Sequence, residues 1–463
     1  MPAQAGTHMT AYFTTDALLP AGWARDVRIE VDARGAFAAV EANASADGAE
    51  RLAGPALPGI ANLHSHAFQR AMAGLTETRG DPDDDFWTWR ELMYRFVARL
   101  APEQAQAIAR HLYIEMLKGG YTAVGEFHYV HNDPQGRPYA EPAEMLLRHL
   151  AAAREAGIAV TLLPSLYAWS GFGAQALKAR QRRFASDARQ ICRMLEASRA
   201  HLSEDVRAGV APHSLRAADP RQLAELLAAA RAVDPAAPVH IHAAEQAKEV
   251  VDCLAWSGKR PVQWLLENAR LDAHWCVVHA THMSAGETAA LAASGAVAGL
   301  CPSTEGNLGD GVFPMLAYRH AGGGWGIGGD SHVSRDPAEE LRLVEYVQRL
   351  VARRRNLVVG RTSAAVGTTL WLEAAEGGAR ALGRACGRIA PGCRADLVVL
   401  DAARPDLEAR SGDAIANALV FSGAQGLARD VMVAGRWVVR EGSHAGEEAA
   451  ATHYARAVRE LLQ

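Results

Sequence analysis

The sequence predicts an α/β fold: a (β/α)8 TIM-like barrel with a small β-sandwich built from both termini. Three observations point there. Between residues 59 and 384, short apolar strands alternate with Ala/Leu/Arg/Glu-rich helical stretches, the pattern of a parallel sheet. Strand-like segments without such helices flank this region on both sides. The 18 histidines are not scattered, since ten of them (64, 66, 128, 131, 213, 240, 242, 279, 282 and 332) fall at or just beyond strand ends. Barrel enzymes build their sites there.

The elements follow in order. The opening residues read as strands at 11–14, 23–31 and 36–41, the second with alternating apolar positions. An apolar strand at 57–63 enters His64, Ser65 and His66. Further strands are expected at 122–127, 159–163, 207–211, 239–243, 276–279, 296–300 and 325–328, eight in all when 60–63 is included. Helices are expected at 102–118, 142–155, 184–199, 220–232, 247–256, 285–294 and 337–354. A turn-rich hinge at 387–392 leads to strands at 395–401, 417–421 and 431–440 and a terminal helix at 456–462. The predicted division is therefore 1–58 (sandwich, N-terminal part), 59–384 (barrel) and 385–463 (sandwich, C-terminal part, plus the terminal helix). The acidic run at 81–85, interrupted by Pro82, reads as a loop.

Composition narrows the class. The 463 residues are 49% hydrophobic with a net charge of −4, which excludes disorder and a general nucleic-acid binder. Gly (42) and Pro (20) show no period, which excludes a collagen-like chain. No apolar run reaches the ~18 residues of a membrane span. Residues 1–15 lack the charged and apolar regions of a signal peptide, so a cytoplasmic location is expected. The 6 Cys form no CxxC and are expected as free thiols. Any metal must then be held by His and carboxylates.

Taking the strand ends in turn, strand one delivers His64 and His66, whose i, i+2 spacing puts both imidazoles on one face. The segment taken as strand three runs into Glu126, His128 and Tyr129. Strand five gives His213 and Arg216, strand six His240, His242 and Glu245, strand seven His279 and His282, and strand eight Asp330 and His332. A single strand-end His is usually just hydrogen-bonded, but a His-x-His pair together with His242, His279 and Asp330 makes a metal site. Three His and one Asp form a zinc-like donor set with room for a water. The ion would lower the pKa of that water toward ~7, and Glu245 would shuttle its proton.

Several segments carry a resemblance. Leu57-Pro-Gly-Ile-Ala-Asn-Leu-His-Ser-His66, His242-Ala-Ala-Glu245, His279, Asp330 and Gly387-Arg-Ile-Ala-Pro-Gly-Cys-Arg-Ala-Asp-Leu-Val-Val-Leu400 resemble the amidohydrolase superfamily, in its deaminase branch. Within it, His64 to Gly74, Phe86-Trp-Thr-Trp-Arg90, Gly125 to Tyr129, Pro212 to Arg216, Cys301 to Gly311 and Gly329 to Ser334 are similar to the formimidoylglutamate deiminase family of histidine degradation. Ser303 and Gly306 stand where Thr and Ala are expected. The resemblance implies a zinc-dependent hydrolase that converts N-formimino-L-glutamate and water to N-formyl-L-glutamate and ammonia by attack of zinc-bound hydroxide. It implies one Zn2+ on His64, His66, His242 and Asp330, with Fe2+ the alternative ion for the same shell. Glu245, His279 and Asp330 would be catalytic. Gln69 would hold the formimino end, while Arg90, Tyr129, His213 and Arg216 would grip the carboxylates. A homodimer is also implied.

Two further points bear on this. Two-metal relatives carry a bridging Lys at the end of strand four. Strand four, read at 159–163, runs into Pro164-Ser-Leu-Tyr167 without one, and the chain's only lysines are Lys118, Lys178, Lys248 and Lys259. One metal is expected. Arg90 and Arg216, read as lying just past strand ends or on an inserted loop over the mouth, suit planar carboxylates. The rival readings are a deaminase of a purine or similar ring, a ring-opening amidohydrolase and a non-enzymatic metal-binding barrel. The last needs neither Glu245 nor His279.

Overall fold

The computed structural model describes residues 9–79, 86–360, 363–423 and 425–463. The loop expected at 81–85 lies outside them. The chain opens with β1 (Thr10–Leu19), β2 (Gly22–Val31), β3 (Phe37–Glu41), β4 (Glu50–Arg51) and β5 (Ala56–Pro58). The barrel follows: β6 (Ile60–Ser65), α1 (Phe86–Val97), α2 (Pro102–Gly119), β7 (Tyr121–His128), α3 (Glu144–Ala156), β8 (Ala159–Leu166), α4 (Ala188–Arg199), β9 (Val206–Ala208), β10 (Ala211–Pro212) and α5 (Pro220–Val233). It continues through β11 (Val239–Ala243), α6 (Ala247–Ser257), α7 (Pro261–Asn268), β12 (Trp275–His279), α8 (Ala285–Ser294), β13 (Val297–Leu300), α9 (Pro302–Leu308), α10 (Met315–His320), β14 (Gly324–Ile327), α11 (Pro337–Ala352) and α12 (Val366–Ala381). Last come β15 (Leu397–Leu400), α13 (Asp413–Phe421), β16 (Ala428–Val433), β17 (Arg436–Val439) and α14 (Glu447–Leu462).

Local sequence explains where many helices begin. Asp219 accepts hydrogen bonds from the N–H groups of Arg221 and Gln222 and Pro220 opens α5, while Ser284 and Glu287 form a capping box on α8. Asp187 and Asp336 cap α4 and α11 in the same way.

Two parallel sheets, β6-β7-β8-β10 and β11-β12-β13-β14, make the barrel wall, with β9 also paired to β8. Parallel bridges Val210↔Val239 and Ser65↔Asp330 join them into a closed ring. Ala61, Leu63, Ala123, Ala159, Cys276, Val278 and Val297 pack together inside it, with Ala381 and Leu382 beneath. Strands from both ends of the chain share one eight-stranded sheet in the order β17-β16-β15-β5-β1-β2-β3, with β4 paired to β1. It folds over a cluster that includes Tyr12, Ile29, Phe37, Leu397 and Met432.

Four expectations need correcting. Counting around the ring from β6, the strand that carries Glu126 is the second, 159–166 the third, β9 and β10 together the fourth, β11 the fifth and β12 the sixth. The expected numbers of these five strands each run one too high. The end of the fourth strand is thus Pro212 followed by His213, not Pro164, and it too carries no lysine. Residues 417–421 belong to helix α13, not a strand. Ile415, Ala416, Leu419 and Val420 bury one helical face, a period that a five-residue window hides. The segment from Phe86 to Arg90 is not a loop but the start of α1. Finally, the expected strands 207–211 and 431–440 each divide, the latter into the antiparallel pair β16 and β17. Helix α12 was not foreseen, because its Thr and Gly content weakens the helical signal.

α12 lies against the eighth and first barrel strands through glycine. A Cβ on Gly377 would sit 1.7 Å from the Trp325 carbonyl oxygen, whereas one on Gly306 would meet nothing within 4 Å. Gly377→Ala is therefore expected to lower the unfolding free energy by about 1–3 kcal/mol, read as a lower urea midpoint. Gly306→Ala should leave the unfolding free energy within about 0.5 kcal/mol of the parent.

Candidate active site

The site begins with a register shift. The β6–β7 ladder slips between Asn62 and Ser65, a bulge of the kind that re-aims side chains at functional sites. Leu63 packs in the barrel interior, and His64 and His66 still converge with His242. The Nε2 of His242 lies 3.0 Å from that of His64 and 3.4 Å from that of His66. Asp330 Oδ1 lies 3.7 Å from His64 Nε2 and 3.5 Å from His66 Nε2.

Backbone carbonyls decide what this cluster can be. His66 Nδ1 donates to the Phe127 carbonyl at 2.8 Å, and His242 Nδ1 donates to the His213 carbonyl at 2.8 Å. Each ring proton is therefore on Nδ1, and each Nε2 presents a lone pair to the other. Burial keeps the rings neutral, with His66 pushed down to about 3 and His64 and His242 well below the usual histidine value. Neutral nitrogens facing one another at this distance repel unless a cation lies among them. Tetrahedral zinc with ~2.0–2.1 Å bonds would hold its nitrogens about 3.3 Å apart, close to the observed spacing. The donor set of three imidazoles and one carboxylate fits a metal, and the two carbonyls fix ring orientation as outer partners do in such sites.

Beside this cluster stands an acid–base group. His279 Nε2 is 3.7 Å from Asp330 Oδ2 and 3.8 Å from Glu245 Oε1, and its Nδ1 is 3.2 Å from Glu305 Oε1. Burial alone would lower the His279 pKa. The carboxylates of Glu245, Glu305 and Asp330 outweigh it and raise it to about 10. Burial also lifts Asp330, to about 7, against the opposing pull of His279. The backbone is bent to bring these groups together. Ala244, His279 and Asp330 have φ of 52°, 68° and 49°, left-handed values that cost energy for residues with a Cβ and collect at functional sites. The turn at Ala244 is held by Glu249, which accepts from the Ala244 and Glu245 N–H groups, and by Thr281, whose hydroxyl donates to the Glu245 carbonyl at 2.8 Å.

A cavity of ≈ 660 Å³ opens above the cluster, and every substrate-binding candidate reaches it. Gln69 donates to the Tyr129 hydroxyl at 2.7 Å, and Tyr129 stands edge-on to His66. His213 packs against Tyr129 and Tyr167. Arg90, on α1, donates to the Tyr94 hydroxyl and lies over the Phe86 ring. Arg216, in the turn after β10, is 3.3 Å from Glu245 and 3.8 Å from Glu249. Tyr94, Tyr167, Glu249 and Glu305 were not singled out from sequence. Glu305 lies inside the quoted Cys301 motif, and Glu249 stands one helical turn after Glu245. Glu126, by contrast, has a structural place. It accepts from Ser65, Tyr113 and the Ala67 N–H on the outer side of the first two barrel strands, and Ser65 also meets His332 Nε2 at 2.7 Å.

Comparison with known proteins agrees with this geometry. The family model described as "Amidohydrolase family" matches residues 56–438. The one described as "Formimidoylglutamate deiminase HutF, N-terminal domain" matches residues 9–54. The formimidoylglutamate deiminase of Pseudomonas aeruginosa is 56% identical over 455 residues, which cover 98% of this chain and 100% of that one. The chain belongs to the formimidoylglutamate deiminase branch of the amidohydrolase family. A crystal structure of an amidohydrolase from Brucella melitensis superposes with a TM-score of 0.91 at 45% identity, covering 98% of this chain and 100% of that one. An adenosine deaminase from Xanthomonas campestris with bound zinc shares the amidohydrolase fold at a TM-score of 0.80 and 20% identity, over 98% of both chains. Among the described residues no helix is long and apolar enough to cross a membrane.

The buried histidines away from the cluster set a pH response. Burial pushes His131, His149 and His240 down to about 4, with backbone hydrogen bonds partly opposing it at His131 and His240. The folded chain then binds fewer protons than the unfolded one between pH 4 and about 6.5. Their contribution to stability is complete above about 6.5 and is lost as the pH falls toward 4. Urea unfolding should lose about 1.4 kcal/mol per pH unit for each such group in that window, and His240→Gln should reduce the slope.

Proposed function

We propose that the chain hydrolyses N-formimino-L-glutamate to N-formyl-L-glutamate and ammonia, and that zinc is its resident ion on His64, His66, His242 and Asp330, with Fe2+ able to take the same shell. The observation that carries the reading is the similarity along the whole chain to the Pseudomonas aeruginosa deiminase, joined to a cavity that holds Arg90 and Arg216 beside Glu245, His279 and Asp330. A cytoplasmic location and a homodimer belong to the same proposal.

When bound, the ion would lower the pKa of a coordinated water toward ~7 and supply a nucleophile at neutral pH. The remaining work falls to side chains. Attack makes the formimino carbon tetrahedral, and its nitrogen must be protonated to leave as ammonia. Asp330 and Glu245 both lie within 4 Å of His279 Nε2. Glu245 takes the water's proton and returns it to the leaving nitrogen. His279, held cationic by its three carboxylates, stabilises negative charge on the attacking oxygen. Gln69 orients the formimino end, and Tyr129, to which it donates, joins the residues that bind the carboxylates. Arg90, His213 and Arg216 bind the carboxylates, where a guanidinium fork matches a planar anion. The overall change consumes one water, both of whose protons end on the departing ammonia, and replaces the imino C=N bond with a C=O while the C–N bond to glutamate stays intact.

Ammonia release from N-formimino-L-glutamate, measured beside guanine, cytosine and hydantoin, tests the proposal. Turnover of the first substrate alone is expected. Turnover of a ring instead would overturn it. Glu245→Gln is expected to keep the bound metal while lowering kcat by about 100-fold or more. Arg216→Ala should raise KM with metal content unchanged, as read by elemental analysis.

A further inference from the structure

Lysine is scarce in this chain, yet Lys178 and Lys248, two of its four, line the candidate site's cavity. Their circumstances differ. Lys248 Nζ is held by Asp252 at 2.7 and 2.9 Å. Arg216 already stands beside Glu245 and Glu249. Lys178 is exposed, and among the described residues its ammonium has no carboxylate partner. Its backbone is nevertheless firmly placed. The Lys178 N–H donates to Gln181 Oε1 at 3.0 Å, and Gln181 in turn donates to the Tyr167 hydroxyl of the cavity wall at 3.0 Å. Arg180 pairs with Glu91 and lies over the Tyr94 ring, both on α1, and Arg183 donates to the Leu100 carbonyl just beyond that helix. The segment with Lys178 is thus fastened to the helix that carries Arg90.

We propose that Lys178 is the specificity residue for the substrate's distal, side-chain carboxylate. The inference rests on the reading that the site takes N-formimino-L-glutamate. Arg216 touches Glu245, the proton carrier, so it suits the carboxylate adjacent to the reacting group. The second carboxylate extends away from that point toward the cavity wall that carries Arg90 on α1, and Lys178, exposed on the segment fastened to that helix, adds a second cation there. A chain of net charge −4 offers a dianion no general attraction, so local cations must supply it. An ammonium on a flexible stem suits a carboxylate that arrives in more than one rotamer. At an exposed position its effect is modest and salt-sensitive.

The test compares N-formimino-L-glutamate with N-formimino-L-glutamine, which replaces the distal carboxylate by a neutral amide. Lys178→Met is expected to raise KM for the glutamate compound about fivefold, the upper end for an exposed ion pair, with kcat unchanged. KM for the glutamine compound should not move, and Lys178→Arg should restore most of the loss. Raising KCl to roughly 1 M should shrink the difference between parent and Lys178→Met. An equal change on both compounds, or none on either, overturns the proposal. Calorimetric binding of N-formyl-L-glutamate separates the two readings. If the parent releases no ammonia from N-formimino-L-glutamate but its binding of N-formyl-L-glutamate weakens in Lys178→Met, the activity reading fails and the role of Lys178 stands. If binding is indifferent to Lys178, the role of Lys178 fails.

Discussion

The molecule depends on one electrostatic arrangement: three neutral imidazoles that turn their Nε2 atoms toward one buried space. Burial prevents protonation from relieving the repulsion, and the carbonyls of Phe127 and His213 prevent the His66 and His242 rings from turning away. A cation placed among them would satisfy all three at once. The barrel provides this because residues distant in sequence meet at one rim: His64 and His66 after the first strand, His242 on the fifth and Asp330 after the eighth. The bridge between Ser65 and Asp330 that closes the ring therefore also sets the spacing of the donor set.

Around that centre the charges are balanced rather than neutralised. Glu245, Glu305 and Asp330 surround His279, and their combined field overcomes the desolvation that would otherwise strip its proton. The ring stands between Glu305 on its Nδ1 side and Glu245 and Asp330 on its Nε2 side. The left-handed backbone at Ala244, His279 and Asp330 is strain the scaffold sustains to keep these groups in reach. Glu249 and Thr281 hold the first of those turns with hydrogen bonds to the backbone on either side of Glu245.

Much of this was legible in the sequence because it is written in short, repeated physical signals. Apolar runs of four to six residues before His64, His242 and Asp330 fix both a strand and the side chain at its end. Proline after a capping Asp marks α5 and α11. Two kinds of information were not legible. One is ring position, because local pattern does not say which strands are neighbours. The other was indirect support. Glu305 and Glu249 act through His279 and through backbone N–H groups, so no spacing advertises them. α1 and α12 were missed because aromatic, Thr and Gly content lowers helical propensity, and tertiary packing overrides it.

The pairing of β5 with both β1 and β15 has a consequence for how the chain folds. Ala56 is hydrogen-bonded alongside Ala17 on one side and Val399 on the other. During synthesis the early strands can form their hairpin, but the second edge of β5 has no neighbour until residues more than 300 positions later have emerged. An open strand edge of this kind invites pairing with other chains, and closing so long a loop is slow. The barrel must therefore assemble while its companion sheet is incomplete. A ribosome-bound or truncated chain ending before β15 would present an adhesive edge that the complete chain covers.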